Sequence, residues 1–385
     1  MRYHIRFIAT YINNVYVINE RMSEADILYL YPMKERVSFT IVAEKHIEQL
    51  RKKFDVDYFE ITEYYAKLDK RYKVIFTHPI FWVFTHLSPA ILYERLGWLE
   101  RIYEHADNLI GFDVADSDKI SNLCVDIVNE YYKAVIVPSN FSRKTFINSG
   151  VNVDVYVLPH GLSDDLINAK PSVDNVNNFD LRYLYTVKRK FGYKIVLFFL
   201  WHSGYRKGAD IVANAVRIVQ SKRKDVLLVI KTAYVIDPYL VMLRKNKSVL
   251  VKGWLSDEEL AFLYDLADIV LCPSRGGGFE LNALEAVARG KPVIAHHHGC
   301  FSDYKRYIIG CDVEYCKTVI PHNHIHIGGG YSVKYEDLAD KILYVLDNYD
   351  DIKAKYAKYA KEVRERYNWN NIGKKLIKIT EKYLR

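Results

Sequence analysis

The chain has 385 residues, of which 50% are hydrophobic and 26% charged, with a formal net charge of +8 at pH 7. That size and balance suit two globular domains with large cores and exclude a disordered or collagen-like chain. No run approaches the roughly 20 apolar residues of a membrane helix, and Met1–Arg6 lacks the apolar stretch and cleavage site of a signal peptide.

From residue 1 to 165 the pattern alternates strands and helices. Strands are expected at His4–Thr10, Ile27–Leu30, Val74–Thr77, Asn108–Phe112, Ala134–Val137 and Val153–Leu158. Helices are expected at Val42–Phe54, Ile91–His105 and Ser142–Ser149. Such alternation predicts a parallel sheet covered on both faces. Residues 166–190 turn polar, with Lys170-Pro171-Ser172 and an Asp/Asn-rich stretch, and read as a linker carrying a short helix before Phe191.

A second α/β unit spans 191–365. Its expected strands are Ile195–Leu200, Val226–Lys231, Val249–Lys252, Ile269–Cys272 and Pro292–Ala295. Its expected helices are Gly208–Gln220, Ser256–Leu266, Glu280–Arg289 and Glu336–Asn348. Ser256 with Glu259 spells a capping box. A helical tail breaks near Asn368–Asn371, leaving a last helix in 366–385. Two doubly wound, Rossmann-like units in tandem place their switch-point crevices face to face, and a small-molecule site is expected in the cleft between them.

Two loops carry the chemistry. Cys272-Pro273-Ser274-Arg275-Gly276-Gly277-Gly278-Phe279-Glu280-Leu281 leaves a strand and feeds a helix. Free N–H groups and the positive end of the helix dipole there suit a diphosphate. Glu285, just over one turn into that helix, is placed to accept hydrogen bonds from ribose hydroxyls. The other loop, Trp201-His202-Ser203-Gly204-Tyr205-Arg206-Lys207-Gly208, sets two cations beside a helix start, Lys207 as a compact charge and Arg206 as a forked one. Both loops leave C-terminal strand ends in one unit, so both are expected to open into one crevice.

These motifs resemble the nucleotide-binding domain of retaining GT-B glycosyltransferases of family 4, the glycosyl transferases group 1. The matching residues are Arg206-Lys207-Gly208, Lys252-Gly253-Trp254 through Leu260, Pro273-Ser274, Gly278-Phe279-Glu280-Leu281-Asn282-Ala283-Leu284-Glu285-Ala286 and Gly290-Lys291-Pro292-Val293-Ile294. Val137-Pro138-Ser139, Leu158-Pro159-His160-Gly161 and Arg366-Tyr367-Asn368-Trp369 extend the likeness over about Ala134 to Trp369. It implies a GT-B enzyme with an acceptor-side domain at 1–165, a nucleotide-sugar-binding domain at 191–365 and a last helix crossing back to the first. The implied reaction moves a sugar from a nucleotide-diphosphate donor, a UDP- or GDP-sugar, to an acceptor hydroxyl with retention. The implied enzyme uses no metal or other cofactor.

Carried over by position, Lys207 binds the donor diphosphate and Glu285 the ribose. Ser203, Gly204, Gly276, Gly277, Gly278, Phe279, Glu280 and Leu281 complete the expected donor site. Two departures stand out. The family pairs its ribose glutamate with another eight residues earlier, where this chain has Gly277, and Glu280 stands where a glycine is common. Glu280 is therefore expected to supply a carboxylate from a shifted place. The family also sets an arginine about five residues before the lysine; here that position is His202, which leaves Arg206 as the second phosphate cation. Lys207, Arg206, Glu280 and Asp113 form the expected catalytic set. His78, Asp113 and Asp116 are expected on the acceptor side, although the family's first glycine loop is replaced by Thr10–Asn14.

Asp116-Ser117-Asp118 also spells a metal-binding triplet of the other glycosyltransferase fold. His296-His297-His298 and the alternating His322, His324 and His326 offer metal-ligand types, the latter on one face if that segment is a strand. The second-unit motifs outweigh these, so no metal is expected. Five cysteines without paired spacing fit a reducing, cytoplasmic compartment. The acceptor class stays open among sugars, polysaccharides, lipid-linked sugars and proteins. The basic, aromatic first unit is compatible with a peripheral membrane contact. Rival readings are a nucleotide-sugar epimerase-like GT-B enzyme, an inactive sugar-binding module and a nucleic-acid-modifying glucosyltransferase. No aromatic-basic recognition stretch supports specific nucleic-acid binding.

Overall fold

The computed structural model describes residues 25–385, apart from 36, 64–67, 69, 85–88, 202 and 233–236. The expected strand His4–Thr10, the loop Thr10–Asn14 and His202 lie outside the described residues. The first unit runs β1 (Ile27–Tyr31), α1 (Ser38–Leu50), β2 (Val56–Glu60), β3 (Tyr72–Thr77), α2 (Pro89–Glu104), β4 (Ala106–Phe112), α3 (Asn122–Tyr131), β5 (Ala134–Val137), α4 (Asn140–Ser149) and β6 (Asp154–Val157). Its strands form a parallel sheet in the order β2-β1-β3-β4-β5-β6. The central strands are buried on both faces, which is why they read as apolar runs. The edge strand β2 was not anticipated. Its Val-Asp-Tyr-Phe-Glu sequence half-buries alternate positions, so two acidic residues disguise it.

The second unit follows two helices, α5 (Asp164–Asn168) and α6 (Phe179–Phe191). It continues with β7 (Lys194–Leu200), α7 (Gly204–Lys207), α8 (Ala209–Lys222), β8 (Val226–Thr232), α9 (Pro238–Arg244), β9 (Ser248–Lys252), α10 (Asp257–Leu266), β10 (Ile269–Leu271), α11 (Leu281–Ala288), β11 (Val293–Ala295) and β12 (Ile309–Gly310). A hairpin, β13 (Val313–Cys316) and β14 (Gly330–Val333), precedes α12 (Tyr335–Asp347), α13 (Tyr349–Arg366) and α14 (Trp369–Glu381). The capping box at α10 forms as the sequence predicts.

The second sheet is parallel, in the order β12-β11-β10-β7-β8-β9. The chain therefore reverses its winding between β7 and β10. The loops leaving Leu200 and Leu271 flank that switch point, where open α/β sheets hold their ligands.

Residues 166–190 do more than link. Leu181, Leu184 and Val187 of α6 are buried in one core with Val196 of β7 and Phe262 of α10. The amphipathic period of α6 lay hidden because its other face carries Arg182, Arg189 and Lys190, while Lys188 on the inner side reaches the buried Asp268 at 2.7 Å. The chain crosses between units twice, side by side: Leu162 N–H donates to the Tyr367 carbonyl at 2.8 Å. After that crossing α14 packs against the first unit, burying Trp369, Ile372, Leu376 and Ile379 with Ile27 and Tyr29 of β1.

Candidate active site

The loop after β7 turns sharply at Ser203, whose φ of 60° is left-handed, and Asp237 fixes the turn by accepting from Gly204 N–H at 2.9 Å. Arg206 and Lys207 were expected beside a helix start. They do stand there, directly before Gly208 (φ 75°), the cap of α8, and they also close the single helical turn α7 at its carbonyl end. A Cβ on Gly208 would lie 2.4 Å from the Pro273 carbonyl oxygen, so the two functional loops are in contact there.

Arg275, which no sequence motif marks, braces that contact. It is buried, forks onto Asp210 at 2.8 and 2.7 Å, donates to the Tyr205 carbonyl at 2.6 Å and lies 4.0 Å from the Tyr205 ring centroid. Such a bidentate, stacked geometry is specific to arginine. It sits within the glycine-loop motif, where a single arginine beside three glycines carries no pattern that points to Asp210.

The glycine loop brings Lys207 and Glu280 together. Lys207 Nζ donates to both Glu280 carboxylate oxygens, at 2.7 and 2.8 Å. Glu280 is only 7% exposed and holds a left-handed backbone (φ 56°, ψ 63°), a strained choice for a residue with a side chain. The strain returns its carboxylate toward Gly277: a Cβ built on Gly277 would lie 2.4 Å from Glu280 Oε1. The carboxylate thus fills the space that a side chain at 277 would enter. Phe279 is buried among His160, Tyr304 and Tyr367, and Leu281 packs partly buried on the second core.

The expected free amides at the loop are partly used. Gly278 N–H donates to Asp116 Oδ1 of the first unit at 3.1 Å, and the Gly278 carbonyl accepts from Ser139 Oγ at 2.8 Å. Arg206 also turns toward the first unit. It is 8% exposed, its Nη1 lies 3.5 Å from the Asp116 carboxylate, and its Nε is buried without a partner. Burial opposes ionisation of Asp116, but Arg206, His326 and Lys207 together hold its carboxyl below the ordinary value.

Glu285 takes a hydrogen bond from Tyr264 Oη at 2.7 Å. Burial pushes its carboxyl up to about 7, against that bond. Tyr264, on α10, was not singled out in the sequence because an aromatic at helical spacing reads as core.

On the first unit, Asp116 reaches the glycine loop, whereas two other expected residues are buried and bonded within their own unit. Asp113 accepts from Phe81 N–H at 2.8 Å and Val114 N–H at 2.7 Å, so its carboxylate orders the loop after β3; burial raises it to about 7. His78 was expected at the cleft. It is buried instead, bonded through Nδ1 to Tyr29 Oη at 2.9 Å, and 5.1 Å from the Phe112 ring centroid. Burial lowers its imidazole well below the ordinary value, so it is neutral. The apolar strands on either side draw it into the core.

The histidine runs separate. His296 Nε2 lies 2.9 Å from the Ser274 carbonyl oxygen, and His297 Nε2 3.1 Å from that of Ile308. The alternating run is not a strand, because His322 adopts φ 59°. Among the described residues no three His, Cys, Asp or Glu side chains are grouped to hold a metal ion. Likewise, among the described residues no helix is long and apolar enough to cross a membrane.

Residues 194–348 match the family model described as Glycosyl transferases group 1. An uncharacterised protein of Sulfolobus islandicus rod-shaped virus 1 is 31% identical over 362 residues, 93% of this chain and 98% of its own length. A protein of the Sulfolobus islandicus filamentous virus, whose provisional name is glycosyltransferase 45, is 29% identical over 301 residues, 75% of this chain and 78% of its own. Among solved structures, Anabaena HepE in complex with UDP and glucose superposes with a TM-score of 0.63 at 14% identity, covering 92% of this chain and 99% of that one. WaaG, a glycosyltransferase involved in lipopolysaccharide biosynthesis, superposes with a TM-score of 0.58 at 14% identity, over 92% of this chain and 99% of that one. With the two facing sheets and the paired loops at the second switch point, these matches place the protein: it belongs to the group 1 glycosyl transferases and is a glycosyltransferase of the GT-B fold.

Proposed function

We propose that this glycosyltransferase takes a nucleotide-diphosphate sugar and passes the sugar to an acceptor hydroxyl with retention at the anomeric carbon, without a metal ion. The observation that carries this reading is the Lys207–Glu280 pair, held at 2.7 Å beneath the glycine loop at the sheet's switch point. Cleaving the anomeric bond leaves negative charge on the diphosphate. Lys207 and the buried Arg206 supply positive charge at that point, which is the task a metal ion performs elsewhere. Glu280 fixes the lysine and sets a carboxylate beside the sugar's expected position. Glu285 accepts from the ribose hydroxyls. HepE, solved with UDP and glucose, shares the fold and supports a uridine or similar nucleotide donor.

Retention follows if the acceptor attacks from the face that the leaving diphosphate vacates. The acceptor then enters from the first unit, past Asp116, the acidic group that reaches the glycine loop. A sugar hydroxyl, free or on a polysaccharide, lipid or protein carrier, fits this route.

The test is transfer from UDP- and GDP-sugars by Lys207→Ala and Glu285→Ala, in buffer with EDTA. Removing one preorganised donor lowers turnover by about 100- to 1,000-fold, so K207A should fall by that order. Transfer that survives both substitutions unchanged, or that stops with EDTA, overturns the reading.

A further inference from the structure

A cavity of about 500 Å³ lies at the C-terminal ends of β11 and β12, on the side of β10 away from β7. Open α/β sheets hold ligands at this edge, and the volume is that of a small-molecule site. His297, His298, Asp312 and Lys334 line it. Its polar groups both donate and accept. His297 Nε2 donates to the Ile308 carbonyl at 3.1 Å, which leaves Nδ1 of the neutral ring as an acceptor. That ring lies on Gly310, where a Cβ would come within 2.5 Å of His297 Cε1. Asp312 adds a carboxylate. Lys334 adds an ammonium whose partner, Glu314 at 3.3 Å, is exposed and readily exchanged. A sugar hydroxyl donates and accepts, so this mixed set suits it. A phosphate only accepts, and it would meet the Asp312 carboxylate.

A row of rings joins this cavity to the glycine loop and to the first unit. His298 stacks on Tyr331 with centroids 4.4 Å apart, and Tyr331 N–H donates to the Arg275 carbonyl at 3.0 Å. Tyr331 meets Tyr315 edge-on at 6.1 Å. Tyr315 is 59% exposed, and its hydroxyl donates to Asp118 Oδ2 of the first unit at 2.8 Å. Asp118 stands two residues from Asp116, where the acceptor is proposed to enter. Such rings offer flat apolar faces to the C–H side of a sugar. The ends of β11 and β12 lie one and two interstrand spacings from β10, about 5–10 Å. We propose that the cavity holds a sugar of an oligosaccharide acceptor, one or two units from the hydroxyl that reacts. The inference rests on the sugar-transfer reading and narrows its acceptor to a glycan chain longer than a monosaccharide.

The experiment applies the full chain, with UDP and GDP present, to an array of defined mono- to hexasaccharides. Wild type is compared with Asp312→Asn, Lys334→Met and His298→Ala, and both nucleotides are titrated calorimetrically alongside. All three side chains are exposed, so the variants should fold. Wild type should retain one or more oligosaccharides at least about tenfold better than the monosaccharide of the same terminal sugar. D312N and K334M should each lose about tenfold of that retention. H298A should lose in the same direction, and nucleotide affinity should stay within about twofold in all three. Undiminished retention by both D312N and K334M, or equal retention of mono- and oligosaccharides by wild type, overturns the cavity's role and leaves the donor reading standing. So does a wild type that binds a nucleotide but no glycan. A folded wild type that binds neither nucleotide nor glycan overturns both.

Discussion

At the scale of single residues, the Glu280 carboxylate lies in the space beside Gly277, and the proposed function makes it a displaced carboxylate. Its cost is visible in the left-handed backbone of Glu280, about 1–2 kcal/mol for a residue with a Cβ. Strain of this kind persists where the surroundings fix it, here through Lys207. Moving the carboxylate back tests the idea. Glu280→Gly should relieve the strain but abandon Lys207, so thermal stability moves little while transfer falls by about tenfold or more. Gly277→Glu alone crowds Glu280, because even a Cβ at 277 would lie 2.4 Å from its Oε1, and should also lose activity. The double variant G277E/E280G should recover a substantial part of the wild-type rate. If it is no better than E280G, the carboxylate does not act from this space. This displacement was readable in the sequence, as a missing acid and a surplus one three positions apart. The contacts of Glu280 were not, because the return of its side chain depends on a backbone conformation that sequence patterns do not encode.

At the scale of elements, the second unit was more legible than the first. Its strands are continuous apolar runs and its helices carry caps, as Ser256 and Glu259 show at α10. The misread elements were those whose charge masks their burial, β2 and α6. Pairing between neighbouring helices was also hidden: Tyr264 of α10 meets Glu285 of α11 through 21 residues of sequence separation. That contact makes a pH prediction. Burial raises the Glu285 carboxyl from 4.5 to about 7 in the folded protein. Its contribution to stability is therefore fully present below about 4.5 and is lost as pH rises through about 7. Under the proposed function donor binding has the opposite sign, because ribose hydroxyls would donate to the ionised form. Nucleotide affinity, measured by titration, should rise with pH through about 7. In Glu285→Gln the pH dependence contributed by this group, in both thermal unfolding and affinity, should disappear. An unchanged difference between pH 5 and pH 8 in E285Q would assign the effect to another group.

At the scale of the whole molecule, the two lobes touch through the glycine loop. A Cβ on Gly276 would lie 2.0 Å from the Asp116 carbonyl oxygen, and one on Gly278 2.5 Å from Val114 Cβ. These glycines answer to the approach of another domain, a reason that no local turn pattern reveals. A strap from the second unit strengthens the contact. Residues 325–329 pair with 118–121: Ser121 N–H donates to the Ile325 carbonyl at 2.9 Å and Ile327 N–H to that of Lys119 at 3.1 Å, and Ile325 is buried in the first unit's core. Lys207, Glu280 and Glu285 lie entirely in the second lobe, while Asp116 comes from the first. Closure and donor binding should therefore be separable. Gly276→Ala introduces one methyl against backbone, which cannot yield as a flexible side chain can. The strap and α14 keep the lobes tethered, so the variant should fold with little loss of stability. It should hold the cleft further open, seen as a larger radius of gyration in solution scattering. Nucleotide affinity should stay within about threefold of wild type, while sugar transfer falls by about tenfold or more, because the reacting groups no longer meet. Wild-type scattering together with wild-type transfer would show that contact between Asp116 and the glycine loop is not needed for the reaction. A parallel loss of nucleotide affinity would show instead that the donor site itself is shared between the lobes.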